Sequence, residues 1–219
     1  MAIDHKDEDP RELVASLCKD FYKLGWVTGT GGGVSVKKGD SIFLAPSGVQ
    51  KERIKTDEVF IVDFPTGAFR FEPEGLKCTE CYPLFMSAFR LRGAGAVIHS
   101  HSQNAFMATL MYPGKEFVVT HMEMIKGLRN AVDQRAYRYD EKLVIPIIEN
   151  TCFEKDLTES LTRAMSDYPA ACAVLVRRHG LYVWGDTWQK AKTHAECLDY
   201  LFETACKMKA AGFDPTAPE

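Results

Sequence analysis

Apolar positions along this chain recur in two rhythms, and the changes of rhythm mark its elements. After Asp9-Pro10, a helix cap and a first-turn proline, Leu13, Leu17, Phe21 and Leu24 return at helical spacing until the run stops near Gly25. Residues 34–36 and 42–44 are short β-rich runs around Lys38-Gly39-Asp40, the pattern of a hairpin, and 59–62 is another such run. Pro65, Gly67, Pro73 and Gly75 mark 64–77 as a loop on the edge of the domain. A helix over 81–92, a strand over 96–99 and a short helix over 103–110 follow. Residues 143–148 read as a strand, with Pro146 as a candidate interruption. A helix over 155–165 precedes the apolar strand 173–177, the strand 181–184 and a last helix from Thr187 to about Met208. Most neighbouring strands look hairpin-linked. That favours a layered sheet with helices on its faces over a doubly wound parallel sheet.

Composition narrows the class. The 219 residues suit one domain, with a polar tail over 1–8 and a second tail over 212–219. Hydrophobic content of 46% is enough to build a core without disulfides. A net charge of -3 gives no basic field for nucleic acid. No apolar stretch is long enough to span a bilayer, and the acidic start Met-Ala-Ile-Asp-His-Lys-Asp-Glu-Asp does not read as a signal peptide. The expectation is a cytoplasmic protein. Its cysteines are odd in number and scattered, as free thiols are, and Cys78-x-x-Cys81 lacks the second pair a structural zinc site needs.

The chemistry gathers at strand ends. His99 and His101 alternate with a serine where the strand 96–99 stops, so both imidazoles lie on one side of the chain. His179 ends a second apolar strand, just before Gly180. Strand ends of one sheet converge, and three nitrogen ligands with an open position make a catalytic metal site. By contrast, His5 lies in the polar tail and His194 on a charged helix face, and both read as solvated. His121 is open between a partner of the ligands, a substrate contact and local structure. The glycine run Thr28-Gly29-Thr30-Gly31-Gly32-Gly33 and the turn Ala45-Pro46-Ser47-Gly48 offer backbone N–H groups and hydroxyls to an anion, with Lys51 close by to add positive charge. Glu123, between Met122 and Met124, is either a desolvated proton carrier or an exposed helix residue.

Together these stretches resemble a known family. Thr-Gly-Thr-Gly-Gly-Gly-Val-Ser, Ala-Pro-Ser-Gly-Val, Gly-Ala-Val-Ile-His-Ser-His and Val-Arg-Arg-His-Gly, in this order, look like the class II, zinc-dependent aldolase and epimerase family. The runs 45–54, 123–127 and 144–151 narrow the resemblance to its eukaryotic branch of methylthio-ketose phosphate dehydratases. The resemblance implies an α/β fold of three layers, α/β/α, around a central, mostly antiparallel sheet. It implies one Zn2+ per subunit on His99, His101 and His179, and a cyclic homotetramer with sites near subunit boundaries. It places an acid/base on Glu123, an active-site cysteine on Cys81, and phosphate loops on Thr30 to Gly33 (Gly31 and Gly32 included) and Ser47-Gly48, with Thr79 a further candidate. The aldolase branch carries its glutamate at or next to the position of Cys81, where Glu80 is one residue off.

The activity so implied is dehydration of 5-methylthioribulose 1-phosphate to 2,3-diketo-5-methylthiopentyl 1-phosphate, a step of methionine salvage. Two alternatives stay open: a zinc aldolase or epimerase acting on a sugar phosphate, and a binding protein that regulates apoptosis on the same fold. The branch is also implied to restrain cell death by binding a caspase-activating factor.

Overall fold

Asp9 caps the first helix by accepting the backbone N–H of Arg11, and Pro10 occupies the turn whose N–H would have no partner. A computed structural model describes residues 8–218. The helices are α1 Pro10–Lys23, α2 Tyr82–Arg92, α3 Gln103–Met111, α4 Thr158–Asp167 and α5 Trp188–Ala210. The main strands are β1 Gly33–Lys38, β2 Ser41–Leu44, β3 Phe60–Asp63, β4 Phe69–Phe71, β5 Ala96–Ser100, β6 Glu116–Val119, β7 Leu143–Ile148, β8 Ala173–Val176 and β9 Gly180–Gly185. They form one nine-stranded sheet in the order β4-β3-β2-β1-β5-β9-β8-β7-β6. Every adjacent pair is antiparallel except β7 with β8.

Alternation along the central strands divides the core into two faces. Ala96 and Ile98, Ala173 and Leu175, and Leu181 and Val183 pack with Leu17 and Phe21 of α1, Ala105 of α3, and Leu198 and Phe202 of α5. Val97, Val174, Val176, Tyr182 and Trp184 pack on the other face with Leu84, Phe85 and Phe89 of α2 and Leu161 and Met165 of α4. The architecture is α/β with helices on both faces of a mixed, mostly antiparallel sheet. Each fully buried Leu or Phe contributes roughly 1.5–3 kcal/mol, so two such faces need no covalent staple, and all seven cysteines are free.

Several expectations need correction. The 64–77 segment is not all loop: Phe69–Phe71 adds the edge strand β4, and Lys77–Cys78 pairs with Pro46–Ser47. Pro146 does not break β7. It pairs opposite Glu116 at the end of the antiparallel register, and the parallel pairing with β8 begins at Ile147, so no ladder bond needs its missing N–H. The strand β6, unmarked in the sequence reading, lies in the apolar run Phe117-Val118-Val119. The helix expected over 155–165 begins as a 3-10 turn, Glu154–Leu157, before α4. His194 is buried, not solvated, because it faces the sheet from α5 and its Nδ1 lies 2.8 Å from the Trp184 carbonyl. The C-terminal stretch is anchored where Pro215 accepts the N–H of Thr120 at 3.0 Å. His5 lies outside the described residues. Among the described residues, no helix is long and apolar enough to cross a membrane.

The β8–β9 hairpin presses against the end of β5. A Cβ on Gly180 would stand 2.0 Å from the carbonyl oxygen of Ser100, where only backbone can yield. Gly180→Ala is therefore expected to destabilise the fold by about 1–3 kcal/mol, the range for overpacking. Urea unfolding of the two proteins checks this.

Candidate metal centre and active site

His99 is the last core position of β5, paired across to Gly33 on one side and Tyr182 on the other. Its parity with Val97 turns the imidazole to the α2/α4 face, where it stacks on the Tyr182 ring at 4.1 Å and 8°. His101 lies just past the strand, its N–H bonded to the Trp26 carbonyl at 2.7 Å. Ser102 then caps α3 by accepting the N–H groups of Asn104 and Ala105, and donates to Asp199 of α5. His179 closes the turn after β8. Arg178 before it holds a left-handed backbone at φ 54 and donates its N–H to Thr109 Oγ1 at 2.9 Å.

The three rings meet. His101 Nε2 lies 2.9 Å from His99 Nε2 and 3.0 Å from His179 Nε2. His99 Nδ1 faces the Leu181 carbonyl at 3.1 Å, and His179 Nδ1 faces Asn150 Oδ1 at 3.1 Å. A carbonyl oxygen can only accept, so each Nδ1 carries the proton and each Nε2 turns a lone pair inward. Burial, with the neighbouring His101 and His179, holds the His99 pKa well below its ordinary value. Burial, then His179 and Lys51, brings His101 down to about 4. The three Nε2 atoms converge on one point, where a single divalent cation could accept a lone pair from each, so the donor set fits a metal.

The anion loops border this centre. Thr30 and Gly48 are exposed, and Gly31, Gly32 and Ser47 are half-buried. Behind them, Lys51 is buried, and its ammonium donates to the carbonyls of Thr30 at 3.0 Å and Pro46 at 3.1 Å. It braces both loops from within rather than reaching out as an exposed charge, and burial pushes its pKa down. Pairing of Ser47 with Lys77 brings the second loop to the turn holding Thr79 and Cys81, where Thr79 Oγ1 accepts the Cys81 N–H. Burial foremost, then the charge of Glu154, pushes the Cys81 thiol up to about 12.

The carboxylates near these motifs differ in placement. Glu123 stands in the 3-10 turn Glu123–Gly127 with its side chain 75% exposed, paired to Lys126 at 2.7 Å. It is not among the groups this chain gathers around the histidines. Nearby, His121 has a left-handed backbone at φ 55, and Thr120 Oγ1 lies 3.0 Å from its Nδ1. Glu80 is exposed. The carboxylate beside the triad is Glu154, which the sequence reading missed. Its Oε1 lies 3.4 Å from His99 Nε2 and its Oε2 3.8 Å from His179 Nε2, and it accepts from the Tyr182 hydroxyl. A cavity of about 380 Å³ opens next to it, lined in part by Phe69, Thr79, Glu80, Tyr82 and Phe153. Glu154 sits among other acids in an irregular stretch. Its only sequence cue is that this stretch follows β7, the strand neighbouring β8.

A Cβ on Gly31 would lie 2.4 Å from His101 Nδ1 and 2.6 Å from its Cε1. Gly31→Ala should therefore keep the fold, since a side chain can yield, and displace one ligand. We expect zinc affinity to drop about tenfold or more, as read by competition with a chelating dye.

Comparison with known proteins agrees with this architecture. The family model described as "Class II Aldolase and Adducin N-terminal domain" matches residues 12–206. Methylthioribulose-1-phosphate dehydratase of Xenopus tropicalis is 60% identical over 210 residues, 95% of this chain and 88% of the relative. A probable methylthioribulose-1-phosphate dehydratase of Drosophila ananassae is 59% identical, covering 97% and 94%. Among solved structures, an L-fuculose 1-phosphate aldolase superposes with TM-score 0.76 at 18% identity, covering 97% of this chain and 92% of that one. At that identity the likeness speaks for the fold alone. With the family model spanning nearly the whole chain and relatives this similar, the protein belongs to the class II aldolase and adducin family.

Proposed function

We propose that the protein is a zinc-dependent hydro-lyase that converts 5-methylthioribulose 1-phosphate to 2,3-diketo-5-methylthiopentyl 1-phosphate. It would act in methionine salvage as a cytoplasmic homotetramer. The observation that carries the reading is the convergence of His99, His101 and His179 within hydrogen-bond distance beside two anion loops. The substrate class comes from the names of relatives about 60% identical. A zinc ion held by the three imidazoles would supply Lewis acidity where negative charge develops on the substrate's C2 oxygen.

The chain's own residues divide the remaining work. Thr30, Gly31, Gly32, Ser47 and Gly48 hold the phosphate, with the Lys51 charge fixed behind them, so binding energy far from the reacting carbons orients them. Glu123 removes the C3 proton and passes it to the C4 hydroxyl, which leaves as water. The enol so formed rearranges to the diketone, and the only mass lost is one water. Because Glu123 is exposed on its own chain, it serves a site completed across a subunit boundary. Cys81, buried, shapes the wall beside His99. Binding of a caspase-activating factor, the second property that the resemblance implies, would use other surfaces and survive loss of His99.

Purified zinc-loaded protein given 5-methylthioribulose 1-phosphate is expected to release a product lighter by one water. Two carbonyl fragments would mean an aldolase, and conserved mass an epimerase. Glu123→Gln should retain zinc and fold, yet lose turnover by about two to four orders of magnitude, the usual worth of a general base. Undiminished turnover in that variant would remove Glu123 from the role.

A further inference from the structure

We infer that Glu154 is the fourth protein group of the cation site, a carboxylate fixed beside the histidine triad to help hold the metal. The inference rests on the reading of the triad as a metal site. Two sets of candidate ligands share His99: the three histidines, and Cys81 with His99 and Glu154. Glu154 belongs to the second set, so it flanks the triad from the side of Cys81.

Three observations carry the assignment. First, the carboxylate faces the wrong side of its neighbours for an ordinary hydrogen bond. Its oxygens stand 3.4 and 3.8 Å from the Nε2 atoms of His99 and His179, and both of those nitrogens point lone pairs inward because Nδ1 faces an acceptor. An anion against two lone pairs is unfavourable, and a dication beside all three groups reverses the sign. Second, the carboxylate is held there. The Tyr182 hydroxyl donates to Oε1, and the Cys81 thiol lies 3.7 Å from the same oxygen. Tyr182 is fully buried and stacked on the ring of His99, so the donor that fixes Glu154 is registered to a ligand. Third, among the described residues the basic groups set against Glu154 are the imidazoles of His99 and His179, and its side chain is only 14% exposed. A carboxylate so enclosed wants a positive partner. Imidazole ligands bring no negative charge, so they leave the full charge of a divalent ion uncompensated, and each need answers the other.

The test reads metal binding, not turnover. Zinc is titrated into metal-free full-length protein in competition with a chelating dye, and unfolding is followed with and without zinc. Glu154→Gln is expected to weaken zinc affinity about 10–100-fold, the usual scale for groups that support a metal site. The metal-free Tm should not fall, and the rise in Tm on adding zinc should shrink. Tyr182→Phe, which removes only the donor, should weaken zinc in the same direction and by less. With Co2+ in place of zinc, the visible spectrum of Glu154→Gln should differ from that of the unaltered protein. Zinc affinity unchanged in both variants, while His101→Gln lowers it strongly, would overturn the role of Glu154 and leave the triad standing. Affinity unchanged in His101→Gln as well would overturn the metal reading and this inference together.

Discussion

Everything at the site depends on three imidazole nitrogens being brought about 3 Å apart from two strand ends far separated in sequence. The surrounding structure sets this arrangement. Pairing of β5 between β1 and β9 sets the depth of His99. The tight β8–β9 turn, with Arg178 in a left-handed conformation, swings His179 onto it. Acceptors behind two of the rings choose the tautomer that a metal requires. Gly180 lets the hairpin touch the Ser100 carbonyl, and Gly31 lets the first anion loop touch His101. Small residues are thus spent where backbone must come close to the centre.

Strand parity gives the site two kinds of neighbour. The face shared with α1, α3 and α5 is built mainly from apolar side chains, with His194 a buried exception that bonds a carbonyl. On the opposite face, the ends of β5 and β9 replace apolar positions by His99 and Tyr182, and α2 and the turn before α4 add Cys81 and Glu154. The chemistry is a continuation of one core face in which polar groups take the place of apolar ones. Lys51 ties the carbonyls of Thr30 and Pro46 together, which links the two glycine-bearing loops beside the histidines.

The two carboxylates illustrate how position decides role. Glu123, exposed and paired to Lys126, stands outside the group of side chains gathered around the histidines. Glu154, enclosed and held by a tyrosine, is bound to the centre of its own chain. Flanking residues do not separate them. Glu123 lies between methionines that suggest desolvation yet is exposed, whereas Glu154 lies between Phe153 and Lys155 and is enclosed.

The sequence by itself determined what periodicity and local chemistry encode. It marked the five helices, the strand pairs 34–36 with 42–44 and 173–177 with 181–184, the His-x-His and His-Gly strand ends, and the glycine loops, because each depends on residues within a few positions of one another. Tertiary structure alone decided the rest. Whether His194 faces water or sheet, whether Pro146 breaks a strand or ends a register, and whether Phe69–Phe71 is loop or edge strand depend on partners distant in the chain. The same holds for Glu154 and Tyr182, whose contact joins a loop after β7 to β9 across the sheet. Spacing along a chain records which face a residue takes. Which groups meet across that face is set by packing, which no local pattern carries.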